Sequence, residues 1–264
     1  MSQLQRVTIN PNQIQQEHIL LTPQQQHYLI RVLRLQDGDR WIAMDGMGKW
    51  WLVELVGDRG HVLELLSVKT ELPVSITLIV ALPKSNGFEE IIRCCTELGV
   101  ACIVPVLSDR TVINPSPQKI DRWRRIAAEA AEQSERAFVP TILAPIAFSS
   151  AISECGSNHR YLCEARGEYP HLSKVISRDL DDEIAGEITI ATGPEGGWTE
   201  KEIAMAIAKQ FQAVSLGRRI LRAVTAPIVA LSLLSTIEGN PIHPKSDSSL
   251  STTLVDPGEL PAPD

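Results

Sequence analysis

The sequence predicts an α/β fold, a parallel sheet covered on both faces by helices and preceded by a small β-rich domain. Three observations carry that prediction. Up to residue 72 the chain runs in short apolar and polar alternations bounded by Gly or Asp, which is how antiparallel strands joined by tight turns read. From Pro73 onward, strand-like and helix-like segments alternate. At 264 residues and 44% hydrophobic content, the chain has apolar material for one large domain or two ordinary ones.

In the first part, residues 1–72, the strands are "DRWIAMDG", "KWWLVELVG" and "RGHVLELLSV". One helix stands before them at "TPQQQHYLIRVLRL", with Thr22 as its N-cap and Pro23 at the first helical position, where a missing N–H is no loss. In the second part, residues 73–240, "SITLIVAL" reads as a strand, "GFEEIIRCCTELG" as a helix, "CIVPVL" as a strand and "SPQKIDRWRRIAAEAAEQS" as a helix. "RYLCEA", "EITIATG" and "AVSLG" follow as strands, with one helix at "TEKEIAMAIAKQF" and a last one from about Leu221 to Ile237. Over residues 241–264 the composition turns to Pro, Ser, Asp and Thr, and disorder is expected there.

Several function classes are excluded. No stretch approaches the ~18 uninterrupted apolar residues of a membrane helix, and "MSQLQRVTIN" lacks the apolar core of a signal peptide, so a cytoplasmic protein is expected. The cysteines, Cys94, Cys95, Cys102, Cys155 and Cys163, are odd in number and form no C-x-x-C pair, which points to spectator thiols and to no metal site. A net charge of −7 argues against a protein that coats nucleic acid indiscriminately. A local basic face stays open, because arginines cluster in "RVLR" (31–34), "RWRR" (122–125) and "RRILR" (218–222). Each cluster taken alone reads as a solvated helix face.

The most informative stretch is "ATGPEGGWTEKEI", residues 191–203. A buried strand ends in a turn, and Thr199 with Glu202 three residues later gives the capping-box signature of a new helix. Ligands of open α/β sheets lie at the carboxyl ends of strands, where this turn falls. Gly196 and Gly197 allow positive φ and the close approach of a flat group. Phosphate is disfavoured, since neither G-x-x-x-x-G-K-S/T nor G-x-G-x-x-G is present and Glu195 repels anions. A neutral or cationic cofactor fits better, and a plain tight turn remains the alternative. In "VSLGRRILRAVTAPIVALSLL" the chain turns at Gly217 into a basic segment, then a helix carrying Ala223, Ala226 and Ala230. Those small residues suit a packed dimer interface or a core helix equally. Arg136, in "AAEQSERAFVP", stands between a long helix and another apolar strand.

Through "HYLIRVLRLQDGD", "TELGV", "EQSER", "TGPEGGWTEKEI" and "LGRRILRAVTA", in order across roughly residues 1–240, the chain resembles the 16S ribosomal RNA (uracil-N3)-methyltransferase family of the SPOUT superfamily. The resemblance implies a PUA-like β-barrel over residues 1–72 and an α/β domain whose last segments thread a trefoil knot, and it implies a homodimer. The implied cofactor is S-adenosylmethionine, held by Leu162 and Glu164, by Thr192, Gly193, Pro194, Glu195, Gly196 and Gly197, and by Ser215, Leu216, Gly217, Arg219, Ile220, Leu221 and Arg222. Arg136 and Arg222 are the expected catalytic pair, stabilising charge on the uracil carbonyl oxygens. Arg31 and Arg34 are expected to contact RNA phosphates, with 16S RNA in the assembled small subunit as the partner and no metal. The chain departs from the family pattern at Val224, where Glu is common, and at Cys94, where Lys is usual. Two rivals stand beside this reading: a SPOUT enzyme acting on another nucleotide or a 2′-hydroxyl, and a non-catalytic RNA-binding module.

Overall fold

Two sheets divide the chain in a computed structural model that describes residues 4–84, 87–111, 113, 115–179 and 186–237. The expected disordered tail, 241–264, lies outside the described residues. The first sheet holds β1 (Arg6–Thr8), β2 (Ile14–Gln15), β3 (His18–Leu20), β4 (Arg40–Met44), β5 (Trp50–Val56) and β6 (Arg59–Leu66), in the order β1-β4-β5-β6-β3-β2. Its three long strands are antiparallel neighbours, as their alternation requires. β1, β2 and β3 are too short to show a period, and β1 pairs parallel to β4. Trp41, Val53 and Leu55 pack with Ile19 and Leu29 in the core. Leu29 reaches it from α1 (Pro23–Gln26), which continues as a wider, π-type turn over His27–Val32. Thr22 starts that helix with a reciprocal cap: its hydroxyl accepts from Gln25 N at 3.2 Å, while Gln25 Oε1 accepts from Thr22 N at 2.9 Å.

The second sheet holds β7 (Ser75–Ala81), β8 (Cys102–Leu107), β9 (Thr141–Ile142), β10 (Ile146–Ala147), β11 (His159–Cys163), β12 (Glu187–Thr192) and β13 (Gln212–Val214). The order is β10-β8-β7-β12-β11-β13, with β9 also on β8, and every pairing is parallel. Against one face pack α2 (Gly87–Glu97), α3 (Pro117–Gln133), α5 (Leu172–Asp179) and α7 (Thr225–Leu234). Against the other pack α4 (Phe148–Glu154) and α6 (Glu200–Ala208). Burial on both sides explains the unbroken apolar run of β7, where Ile76, Leu78 and Val80 face one helix layer and Ile79 and Ala81 the other. Each of the Ile, Leu and Val side chains contributes roughly 1.5–3 kcal/mol by leaving water.

The last helix begins at Thr225 rather than near Leu221, because residues 215–224 are drawn out as a loop. Ala230 is buried in the chain's own core, while Val224 packs where a Cβ on Gly87 would fall, 2.5 Å from its Cγ2. The departure at Val224 is thus a packing contact onto the start of α2.

The two sheets meet in a seam at the amino end of the second one. Met47 pairs with Phe138, Gly48 N donates to Ala137 O at 3.0 Å, and Val139 N donates to Gly46 O at 2.9 Å. Glu132 Oε1 accepts from Thr8 N at 2.5 Å and Arg6 pairs with Glu135 at 2.8 Å. Burial raises the Glu132 carboxyl above its ordinary range.

Candidate active site

Because the strands run parallel, their carboxyl ends lie together, and three loops leave β11, β12 and β13 there. All three line a single cleft. The loop after β11 gives Glu164, Ala165 and Arg166. The turn after β12 gives Gly193, Pro194, Glu195, Gly197 and Trp198, and the loop after β13 gives Leu216, Gly217, Arg219, Ile220 and Leu221. Cys163, Ala223 and Ala226 complete the wall. The cleft is open-mouthed, with about 680 Å³ of space between protein atoms, solvent at the mouth included.

The turn after β12 is braced from both sides. Glu195 Oε1 accepts from Lys84 N, beyond β7, at 2.8 Å. Arg110, beyond β8, donates to Gly196 O. A Cβ on Gly196 would lie 2.9 Å from Arg110 Cδ, so the space beside this glycine belongs to the arginine stem and not to a ligand. Gly197 has φ of 72°, the left-handed region that side chains disfavour. Behind the turn, Glu202 is buried and accepts from Asp109 N and Thr199 N, at 2.9 and 2.8 Å. The capping box of α6 therefore also fastens the loop after β8. Trp198 stacks on Phe148 at 4.3 Å between ring centroids and donates from Nε1 to Cys163 O at 3.2 Å.

Ten of the residues expected at the cofactor line this cleft, and five do not. Leu162 is buried against α4 and α6, because neighbouring strand residues face opposite sides and the loop side falls to Cys163. Thr192 is fully buried, and its Oγ1 has no partner among the described residues. Gly196 is covered by Arg110. Ser215 shapes its own loop, its Oγ accepting from Gly217 N at 3.1 Å. The Arg222 side chain is exposed and absent from the wall, while its carbonyl accepts from Thr225 N and Ala226 N at the start of α7. Ala226, weighed as an interface or core residue, faces the cleft.

Arg136, expected to be aimed at the substrate, does not line the cleft. Arg136 is 4% exposed and lies in the seam. Its Nε and Nη2 donate to Glu71 Oε2 at 3.2 and 2.6 Å, and its Nη1 donates to Thr96 O and Val100 O at 3.1 and 2.7 Å. Thr96 and Val100 precede β8, so the guanidinium sits at the sheet end away from the cleft. Arg31, in the last turn of the first sheet's helix, and Arg34, just beyond it, are exposed and have no acidic partner among the described residues.

Sequence reasoning missed Cys163, Ala165, Arg166, Trp198, Ala223 and Ala226. Trp198 alone carried a signal, as a large aromatic side chain directly after the glycine pair. Burial first, then the Glu164 carboxylate, push the Cys163 thiol up to about 12 and keep it protonated. Glu164 is itself buried, with Oε1 accepting from Arg166 N at 2.7 Å and no partner for Oε2 among the described residues.

A parallel α/β sheet with a loop-built cleft at its carboxyl end, joined to a six-stranded β-module, is the architecture of an RNA methyltransferase with its PUA domain. The family model for the RNA methyltransferase domain matches residues 70–235, and that for the RNA methyltransferase PUA domain matches residues 21–65. Ribosomal RNA small subunit methyltransferase E of Synechocystis sp. is 47% identical over 238 residues, covering 88% of this chain and 77% of that protein. The Bacillus subtilis protein of the same name is 31% identical over 229 residues, covering 81% and 88%. The chain belongs to the ribosomal RNA small subunit methyltransferase E family. The Neisseria gonorrhoeae member, solved bound to S-adenosyl methionine, superposes with a TM-score of 0.79 at 29% identity, over 89% of this chain and 98% of that one.

Proposed function

We propose that the chain is an S-adenosylmethionine-dependent methyltransferase acting on N3 of a uridine in 16S RNA of the small ribosomal subunit. The convergence of three loops on one cleft at the carboxyl ends of parallel strands carries this reading. The cofactor supplies an activated methyl group on a sulfonium, which leaves the protein to align two reactants and to let one proton go.

The residues present fit that cofactor. It carries two positive centres and a carboxylate; the wall supplies two acids, Glu164 and Glu195, for the former, and backbone amides of the three loops serve the latter. Glu164, a largely buried carboxylate on the wall whose Oε1 accepts from Arg166 N, is the acid best placed for a cationic group. Thr192 Oγ1 adds an unmet hydrogen-bonding atom beside Gly193; such a group costs about 1–3 kcal/mol until a ligand or water supplies a partner. Backbone amides and carbonyls of the three loops hold the adenine. The N3 proton leaves to solvent at the open mouth, since the Cys163 thiol is already protonated.

In this reading, residues 1–72 position RNA through Arg31 and Arg34, and residues 73–240 hold the cofactor. It includes the trefoil thread, supported by the chain after β13 running beside the loop after β11, where Leu172 N donates to Ser215 O and Ser215 N to Pro170 O, both at 2.9 Å. It includes a homodimer, supported by α7, whose Ile228, Val229 and Leu233 are only half-buried. It also places the protein in the cytoplasm; among the described residues no helix is long and apolar enough to cross a membrane.

Calorimetric titration with S-adenosylmethionine tests the site, and mass analysis of 16S RNA from a deletion strain tests the target. Saturable binding and the loss of one methyl mark on a uridine are expected. Absence of binding, or an unchanged set of marks, overturns the reading.

A further inference from the structure

We propose that Arg166, Arg219 and Ile220 form the landing for the target nucleotide at the mouth of the cleft: the guanidinium groups take its flanking phosphates and Ile220 lies against its base. This rests on the methyltransferase reading and adds the chain's own substrate contacts to it.

Polar groups on the cleft wall fall into two sets. Glu164, Glu195 and Trp198 are engaged within the chain. Arg166 and Arg219 are exposed and have no acceptor among the described residues. Several exposed arginines elsewhere do have partners: Arg122 with Glu89 at 2.9 Å, Arg124 with Asp121 at 3.3 Å and Arg178 with Asp179 at 2.7 Å. In a chain of net charge −7, acids are in surplus, yet among the described residues none forms an ion pair with these two. The pair comes from different loops, after β11 and after β13. Arg166 Nη1 lies 4.0 Å from where a Cβ on Gly197 would stand, which puts it over the turn after β12. Ile220 shares the wall and is 71% exposed, the highest value among the described large hydrophobic side chains.

A base methylated at a ring nitrogen is unpaired or turned out of its stack, which gives access to its apolar faces and leaves its phosphates to be held. One exposed apolar side chain beside two unpaired guanidinium groups matches that need.

The test measures methyl transfer to isolated small ribosomal subunits across a potassium chloride series, with calorimetric cofactor affinity alongside. Arg166→Ala and Arg219→Ala are each expected to raise the KM for subunits about tenfold. Each is also expected to flatten the dependence of log KM on log salt by about 0.7, the loss of one phosphate contact to a single strand. Cofactor affinity should stay within about twofold of wild type. Ile220→Ala should raise KM without changing the salt slope, and Arg124→Ala should change neither. An unchanged slope in both arginine variants sinks the proposal. So does cofactor affinity falling in step with KM, which would make the arginines cofactor ligands. If Ile220→Ala converts a dimer to monomers in sedimentation, a second copy of the chain covers this patch and the proposal fails. Wild-type protein that binds no cofactor would instead overturn the functional reading itself.

Discussion

Arg136, at the amino end of the second sheet, is 4% exposed and makes four hydrogen bonds; Arg219, at the carboxyl end, is exposed and makes none among the described residues. Burial explains the contrast. A guanidinium taken out of water needs its donors answered, and at the seam Glu71 and two carbonyls take four hydrogen bonds from it. A guanidinium left in water keeps its donors for whatever arrives. The same residue type therefore fastens two sheets at one end and stays available at the other. Six-residue strands such as β12 separate the ends by roughly 20 Å.

The comparison breaks most visibly at the seam. Arg136→Ala leaves the Glu71 carboxylate buried without its counter-charge and is expected to cost about 3–5 kcal/mol. Urea unfolding would read this, with cofactor affinity of the folded fraction near wild type. A small stability change accompanied by lost cofactor binding would mean that the two ends are not separate in function.

At the cleft, effects should appear in binding before stability. Gly196→Ala puts a methyl group against the Arg110 stem and is expected to weaken cofactor binding about tenfold, roughly 1.4 kcal/mol. Arg110→Ala loses the hydrogen bond to Gly196 O and should weaken binding similarly. The double variant should be no worse than Arg110→Ala alone, because the clash goes with the arginine. Additive losses would show that position 196 faces the ligand after all.

The smallest effect concerns Glu132, whose carboxyl is raised by burial from an ordinary value of 4.5. Folded protein then holds this proton more tightly than unfolded protein does. Its contribution to stability is full below the ordinary value and is lost as pH rises through the folded one. Glu132→Gln keeps an acceptor for Thr8 N and has no such loss. Near neutral pH the variant should be the more stable of the two, with the gap closing as pH falls toward 4.5. Parallel stability curves at all pH values would contradict this account.

Much of the scaffold is legible without coordinates, because its signals act between neighbours. Thr22 with Gln25 and Thr199 with Glu202 cap helices across three residues, and the long strands of both sheets show their periods within a single segment. Strands of two or three residues, such as β2, β9 and β13, have no period to read. The site was legible to the level of its loops and not always to the residue. Leu162 and Cys163 differ only in which side of a strand they face, and that parity is fixed by the layers packed above and below.

What the sequence alone determined is the two-part architecture, the strand–turn–helix around Gly193–Trp198 and the three loops that build the cleft. What tertiary structure decided is the work each residue does there. Arg110 meets Gly196 across 86 positions, and Arg136 meets Glu71 across 65. Local propensity acts over a few residues, whereas burial and pairing at such separations depend on how whole layers pack.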